Sequence, residues 1–336
     1  MSTAVILMNL GTPAEPSAPA VRQFLREFLS DPRVVEIPRL AWLPILHGII
    51  LPLRPARIAP AYAEIWNTGL DGEPVKGAPL FYYTRRQAEL LQERLWQKRP
   101  DVRVDFAMTY GDPRLCDVIE RLQREGFDSF MVFPLYPQYS ATTTGSIYDQ
   151  VAQIYRHSRN IPNISLVHDY YRHPMYVRAL ANSVREHWEK HGAAKKLLLS
   201  FHGIPKANVD KGDPYYDQCR GTAEHLAAEL GLEKDRWQLC FQSRFGKAEW
   251  LQPYTDKTLI EWGKQGLESV DVICPAFAAD CLETIEEIAE ENRANFVEAG
   301  GGEYRYIPAL NIRPDHIETL ARIVEERLPQ FSKVSG

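Results

Sequence analysis

His202 and Glu283 are the two side chains whose surroundings in the sequence most directly suggest chemistry. His202 ends the run Lys196-Leu-Leu-Leu-Ser-Phe-His202, which stops at Gly203-Ile-Pro205. A short apolar run closed by Gly and Pro reads as a buried parallel strand reaching its C-terminal edge. That edge is where open α/β sheets hold their ligands. Glu283 follows a second run of this kind, beyond Cys274-Pro275. Glu283, Glu287 and Glu291 recur every four residues, so a helix would set them on one face. By itself such a row is an ordinary solvated face, with acids favoured in the first turn by the helix dipole. That reading suits Glu286 and Glu290. It suits Glu283 less well, because Glu283 follows a strand-end turn that should face a cleft. A lone histidine is most often structural, but an imidazole and a carboxylate meeting at a sheet edge make either a weak site for a divalent first-row metal or an acid–base pair. Tyr136, Tyr139, Trp250 and Phe277 fall on the same rims. Aromatic rims suit a large flat ligand held by stacking.

The elements that must position these groups alternate between strand and helix. Ala4–Leu10 reads as a strand, Val21–Leu29 as a helix, Gln87–Lys98 as a helix and Val102–Met108 as a strand. Leu115–Glu125 and Ser129–Leu135 continue the alternation, which predicts parallel sheets covered by helices on both faces. The second half repeats the first. Leu10-Gly-Thr-Pro13 matches His202-Gly-Ile-Pro205, Phe106-Ala-Met-Thr-Tyr-Gly111 matches Phe241-Gln-Ser-Arg-Phe-Gly246, and Phe133-Pro134 matches Cys274-Pro275. Gly and Pro fall at turns in any such fold, but the matches keep their order. They predict two similar doubly wound domains facing each other across a cleft, over about 1–165 and 166–336. The first half carries about fifty extra residues, near 30–79. Their centre, Leu40–Leu53, is almost uncharged and broken by Pro and Gly, and Arg54 and Arg57 follow. It reads either as an apolar lid packed on the core or as a greasy lip touching a membrane surface.

Composition narrows the class. A chain of 336 residues with 45% hydrophobic and 25% charged residues is that of a soluble globular protein of two domains. A net charge of −5 leaves no basic footprint for nucleic acid. Cys116, Cys219, Cys240, Cys274 and Cys281 form no CxxC pair, which argues against a zinc knuckle or disulfide framework and fits a reducing compartment. Met1 runs almost directly into a strand, so neither an export signal nor a membrane span is expected, and the cytoplasm is the expected location, with the lip as the means of any contact with the inner face of a membrane.

Several segments resemble one family. Leu199-Ser-Phe-His-Gly-Ile-Pro205 with Lys211-Gly-Asp-Pro-Tyr215 looks like the ferrochelatase signature. Asn9–Pro13, Pro134–Thr143, Phe241–Gly246 and Asp280–Thr284 are similar to further segments of that family, so the resemblance runs through most of the chain. It implies a lyase that inserts Fe²⁺ into a porphyrin in the last step of protohaem synthesis, with iron as substrate and no permanently bound cofactor. By position, it implies that His202 is the cleft histidine, acting as proton acceptor or metal ligand, and that Glu283 is its partner acid. Glu287 and Glu291 would extend a carboxylate ladder that moves metal or protons. Tyr139, Ser140 and Thr143 would belong to the pocket wall and residues 40–57 to a hydrophobic lip, with Arg54 or Arg57 near the porphyrin propionates. Two positions depart from the common pattern: Cys281 stands where many members have His, and Thr109 where many have Arg. The tail Phe331–Gly336 lacks the cysteines by which some members hold a [2Fe–2S] cluster, so none is expected.

Leu10 stands where relatives acting on coproporphyrin III carry Tyr. Leu10 and an apolar lip therefore favour protoporphyrin IX, whose vinyl groups suit apolar walls. A sirohydrochlorin chelatase would need a far more cationic cleft. A non-catalytic haem or metal carrier would not need the glutamate row, and it would bind once and stop.

Overall fold

The computed structural model describes residues 2–70, 72–246 and 248–328. The cysteine-free tail on which the iron–sulfur expectation rests lies outside them. Thr3–Asn9 (β1) is buried at every position, as a strand must be when it is central and covered on both faces. It pairs in parallel with Val102–Met108 (β2) on one side, Leu7 opposite Phe106, and with Ser129–Pro134 (β3) on the other, Leu7 opposite Phe133. Asn163–Leu166 (β4) completes a sheet of order β2-β1-β3-β4. Lys196–His202 (β5), Trp237–Gln242 (β6), Ser269–Ile273 (β7) and Glu303–Ile307 (β8) form a second parallel sheet of order β6-β5-β7-β8. The two orders are the same once the strands are renumbered. The repeat read from the sequence is thus a repeat of topology, and the α/β twin-sheet class holds.

Helices fill the spaces between strands: Ala18–Ser30 (α1), Arg39–Ile45 (α2), Leu51–Ile65 (α3), Pro79–Trp96 (α4), Leu115–Arg124 (α5), Ser146–Tyr155 (α6), Pro174–His191 (α7), Lys206–Asp210 (α8), Tyr215–Leu230 (α9), Thr255–Lys264 (α10), Asn292–Glu298 (α11) and Pro314–Arg327 (α12). Helix α4 starts eight residues before the Gln87 expected from the sequence. Pro79 at its first turn presets the backbone, and Tyr82 and Tyr83 are buried rather than strand-like.

One core joins the halves. Val5, Leu7 and Leu91 pack in a single cluster with Leu199, Phe201 and Leu320, so α4 and α12 carry each half onto the other. Buried Gln87 on α4 donates its amide to the carbonyls of Ala278 (2.8 Å) and Asn311 (2.9 Å), and Arg94 of α4 pairs with Glu318 of α12 at 2.5 Å. The insertion runs α2, a π-helical turn over Leu46–Ile50, then α3, with Pro44, Pro55 and Pro60 inside the helices. A π turn accommodates the shifted hydrogen bonds that such prolines impose. Trp42, Leu46 and Leu51 pack inward against Val21 and Phe24 of α1, and across the cleft they meet Ile285 of the second domain.

Candidate active site

Strand β5 delivers His202 to the C-terminal edge of its sheet, half-buried and paired with Gln242 of β6. Its Nδ1 lies 2.7 Å from the Gly203 carbonyl. A carbonyl can only accept, so Nδ1 carries the proton and Nε2 keeps its lone pair for a metal or a proton. Gly203 has no substitute here: a Cβ would sit 2.8 Å from the Gln242 carbonyl and 3.2 Å from the Trp250 ring. Buried Ser200 donates to Gln242 Oε1 (2.7 Å), and Gln242 Nε2 donates to the Glu283 carbonyl (3.2 Å), which ties the strand to the acidic helix.

Glu283–Glu291 is a π-helix over all nine of its residues, where the sequence suggested ordinary helical spacing. Its i→i+5 bonding widens each turn, so residues four or five apart share a face. Glu283, Glu287 and Glu291 therefore still form a row, now joined by Glu286 beside Glu291. The row runs from half-buried Glu283 and Glu287 to exposed Glu291. Glu287 accepts the Ser243 amide at 2.8 Å and, at its other oxygen, the Ser243 hydroxyl. Ser243 adopts φ +64°, a left-handed backbone uncommon for a residue with a side chain, and in this setting it aims both donors at one carboxylate. Burial pushes the Glu287 carboxyl above its ordinary range, while the Ser243 bonds and, once the ring is protonated, the charge of His202 pull it back. Burial also raises Glu286, with Glu291, Glu287 and Glu64 of α3 adding repulsion.

Glu283 lines a small cavity of about 20 Å³ with Leu10, Tyr62, Leu80 and Cys281. That is room for about one water. Cys281 is buried, and burial together with the neighbouring Glu283 carboxylate pushes its thiol well up, so it stays protonated. Among the described residues no three His, Cys, Asp or Glu side chains cluster closely enough to hold a metal ion. Leu10 follows β1 and lines the same cavity, its amide bonded to the side chain of Asn9 at 2.9 Å.

The other residues singled out in the sequence are more dispersed. Trp250 is buried against Gly203, lies tilted by 56° with its ring 4.9 Å from that of Phe245 and donates to the Phe245 carbonyl at 3.0 Å. Arg54 is half-buried with its guanidinium 5.7 Å from the Phe245 ring, so it bridges lip and second domain; Arg57 is exposed. Phe277 packs between two core clusters near Cys281. Tyr139 stacks flat on His168 at 4.2 Å, Ser140 donates to Asp213 at 2.9 Å, and the Thr143 hydroxyl bonds the Ser140 carbonyl at 3.4 Å. Those three are engaged at the joint between domains. Sequence reasoning passed over Ser243 and Gln242, although both lie in the segment Phe241–Gly246. Nothing in the order of residues signals a left-handed serine feeding a carboxylate forty positions away.

The sequence pattern of the family described as Ferrochelatase matches residues 2–328. The chain is 52% identical to a ferrochelatase of Psychrobacter arcticus over 94% of its own length and 92% of that protein. It is 54% identical to the one of Aromatoleum aromaticum, over 97% and 88% of the two chains. Among solved structures, SirB from Bacillus subtilis with Fe³⁺ superposes with a TM-score of 0.51 at 13% identity, covering 97% of this chain and 95% of that one. CbiX superposes at 0.53 and 12% identity, over 98% and 100%, and both likenesses concern the fold. On the family match and the identities of about half, the chain belongs to the ferrochelatase family of porphyrin metal-chelating lyases.

Proposed function

We propose that this chain inserts Fe²⁺ into protoporphyrin IX to give protohaem, with iron and porphyrin as substrates and no resident cofactor. The observation that supports the reading is the bond of His202 Nδ1 to the Gly203 carbonyl, which makes Nε2 the nitrogen with the lone pair, with Glu287 near enough for its charge to interact with the ring. Insertion requires a bent macrocycle, a metal handed in from one face and acceptors for two N–H protons. Packing from both walls supplies roughly a few kcal/mol of the bend. His202 Nε2 receives a proton or steadies the metal. Glu283 and Glu287 hold charge beside it, and the sparse ligand set keeps the iron weakly bound and able to transfer.

Leu10, Tyr62, Ile65 and Leu80 make the cavity wall apolar. Vinyl groups fit such a wall, and a porphyrin with four propionates would need cations that it lacks. Arg54, half-buried at the mouth, offers one propionate a partner. Coproporphyrin III is the alternative substrate. Anaerobic competition between the two porphyrins, repeated with Leu10→Tyr, separates them. Preference for protoporphyrin that weakens in Leu10→Tyr supports the reading, and preference for coproporphyrin in the unaltered chain overturns it.

No helix among the described residues is long and apolar enough to cross a membrane. The lip nevertheless turns Leu40 (95% exposed), Ile49 (54%) and Leu53 (56%) outward beside inward Trp42 and Leu46. We assign that outer face to peripheral contact with the inner surface of a membrane, in a protein otherwise of the cytoplasm. Flotation with anionic liposomes tests it: the unaltered chain should float and Leu40→Glu/Ile49→Glu should not, and equal behaviour of the two would contradict it.

A further inference from the structure

A second cavity, of about 380 Å³, adjoins the one beside Glu283 and shares Thr12 and Ala78 with it as lining. Its volume falls in the range of roughly 300–1,000 Å³ usual for small-molecule sites. Helix α1 builds one side. Ala20, Gln23, Phe24 and Glu27 recur at three- and four-residue steps, so they share the face that α1 turns toward the cavity. Trp66, just past α3, and Lys76 build another side. Asn67, with φ +64°, donates its amide to the Gly77 carbonyl at 2.9 Å and accepts the Gly77 amide at its side chain at 2.8 Å. This closed neck holds Trp66 beside Lys76 and Ala78. Phe81 of α4 completes the wall, its ring set edge-on to Phe106 at 5.6 Å.

The lining has a definite chemical character. Phe24, Trp66 and Phe81 give it three aromatic walls. The two acids on it both turn to Arg114. Glu27 accepts the Arg114 guanidinium at 2.6 Å through one oxygen and the Gly111 amide at 3.0 Å through the other, and Asp112 pairs with Arg114 at 3.6 Å. The donors are free: among the described residues, the side chains of Thr12, Gln23 and Lys76 bond to no protein group. A flat ring set between the aromatic walls, carrying a carboxylate that takes an ammonium, an amide and a hydroxyl, uses all of them. None of these residues enters the chemistry assigned to His202 and Glu283.

We propose that this cavity is an effector site for a small aromatic carboxylate, and that through Thr12 and Ala78 its occupancy changes how tightly the chain holds porphyrin. The aromatic walls fix the position of the ring, and Lys76 fixes the sign of the charge. The coupling is reciprocal: whatever factor the occupant imposes on porphyrin affinity, porphyrin imposes on the occupant. That coupling rests on the porphyrin reading of the neighbouring site, whereas the binding itself does not.

The probe is cinnamate, with cinnamyl alcohol and cinnamylamine as neutral and cationic counterparts of nearly the same shape, each titrated against the full chain by ligand-observed NMR. We expect saturable binding that is tightest for cinnamate and weakest for the amine. Lys76→Met should weaken cinnamate about two- to fivefold, the scale of an exposed ion pair, and leave the alcohol unchanged. Ala20→Trp fills the cavity from α1 and should abolish binding of both, and melting curves report that each variant is folded. Protoporphyrin affinity, read by fluorescence, should change at least about twofold under saturating cinnamate in the unaltered chain and stay constant in Ala20→Trp. Absence of saturable cinnamate binding, tightest binding of the amine, or full binding in a folded Ala20→Trp would overturn the site. Cinnamate binding that leaves porphyrin affinity unchanged would overturn the effector role. Failure of the unaltered chain to bind porphyrin would instead overturn the porphyrin reading, with the cinnamate titration still deciding the site.

Discussion

At the scale of single residues, the proposed chemistry turns on one proton held at one ring nitrogen of His202. Nδ1–H of His202 is tied to the Gly203 carbonyl, which leaves Nε2 as the ring nitrogen with a lone pair. Removing the ring in His202→Ala should lower turnover at least about a hundredfold, the range seen when a general base is lost. Glu287 gives a second prediction with a definite sign. Its carboxyl is held above its ordinary range by burial, so ionising it in the folded state opposes folding. That cost is absent below the ordinary glutamate pKa, near 4.3, and grows as pH rises through the elevated value. Glu287→Gln should therefore melt at a higher temperature than the unaltered chain at pH 7.5, with the gap closing towards pH 4, while insertion slows. A lower melting temperature at pH 7.5 would mean that the Ser243 bonds outweigh burial. Ser243→Ala keeps the backbone amide bond but removes the hydroxyl bond, which favours the ionised form, so it should move the acid limb of the pH–rate profile upward. His202 was legible in the sequence because a strand, a glycine and a proline bracket it. Ser243 was not, since its role arises from a backbone angle and a partner distant in sequence.

At the scale of elements, the π-helix and the lip decide what reaches those residues. The spacing of Glu283, Glu287 and Glu291 was legible, and the π turn was not, because a period of four fits either helix. The lip ties itself to the second domain: Lys211 pairs with Glu36, Arg54 sits over Phe245, and Ile285 joins the lip's own core. In the proposed reading a porphyrin entering between the lip and the second half parts these contacts. Phe245→Ala should accordingly speed porphyrin association, by roughly two- to fivefold if the contact holds about 0.5–1 kcal/mol, as exposed cation–π pairs do. Stopped-flow fluorescence quenching reads this directly, and an unchanged association rate would mean that the contact does not hold the mouth.

At the scale of the whole molecule, two copies of one sheet topology have divided the work. Matching strand ends present Leu10 in one half and His202 in the other; in the proposed reading the first half is a wall and the second carries the chemistry. This much was readable from repeated Gly-x-Pro turns. The bolts between halves were not, because Gln87 looks like any polar residue on an amphipathic helix until the fold buries it. Gln87→Leu, which removes two bonds between the halves, should lower stability by about 1–3 kcal/mol in urea unfolding without changing the porphyrin preferred. The central claim is that His202, with the acids beside it, metallates protoporphyrin. Anaerobic turnover of Fe²⁺ and protoporphyrin IX by the unaltered chain, beside His202→Ala and Glu283→Ala, tests it most directly. The account predicts many turnovers of haem formation for the unaltered chain and almost none for His202→Ala. Stoichiometric binding that stops after one equivalent, or full turnover in His202→Ala, would contradict it.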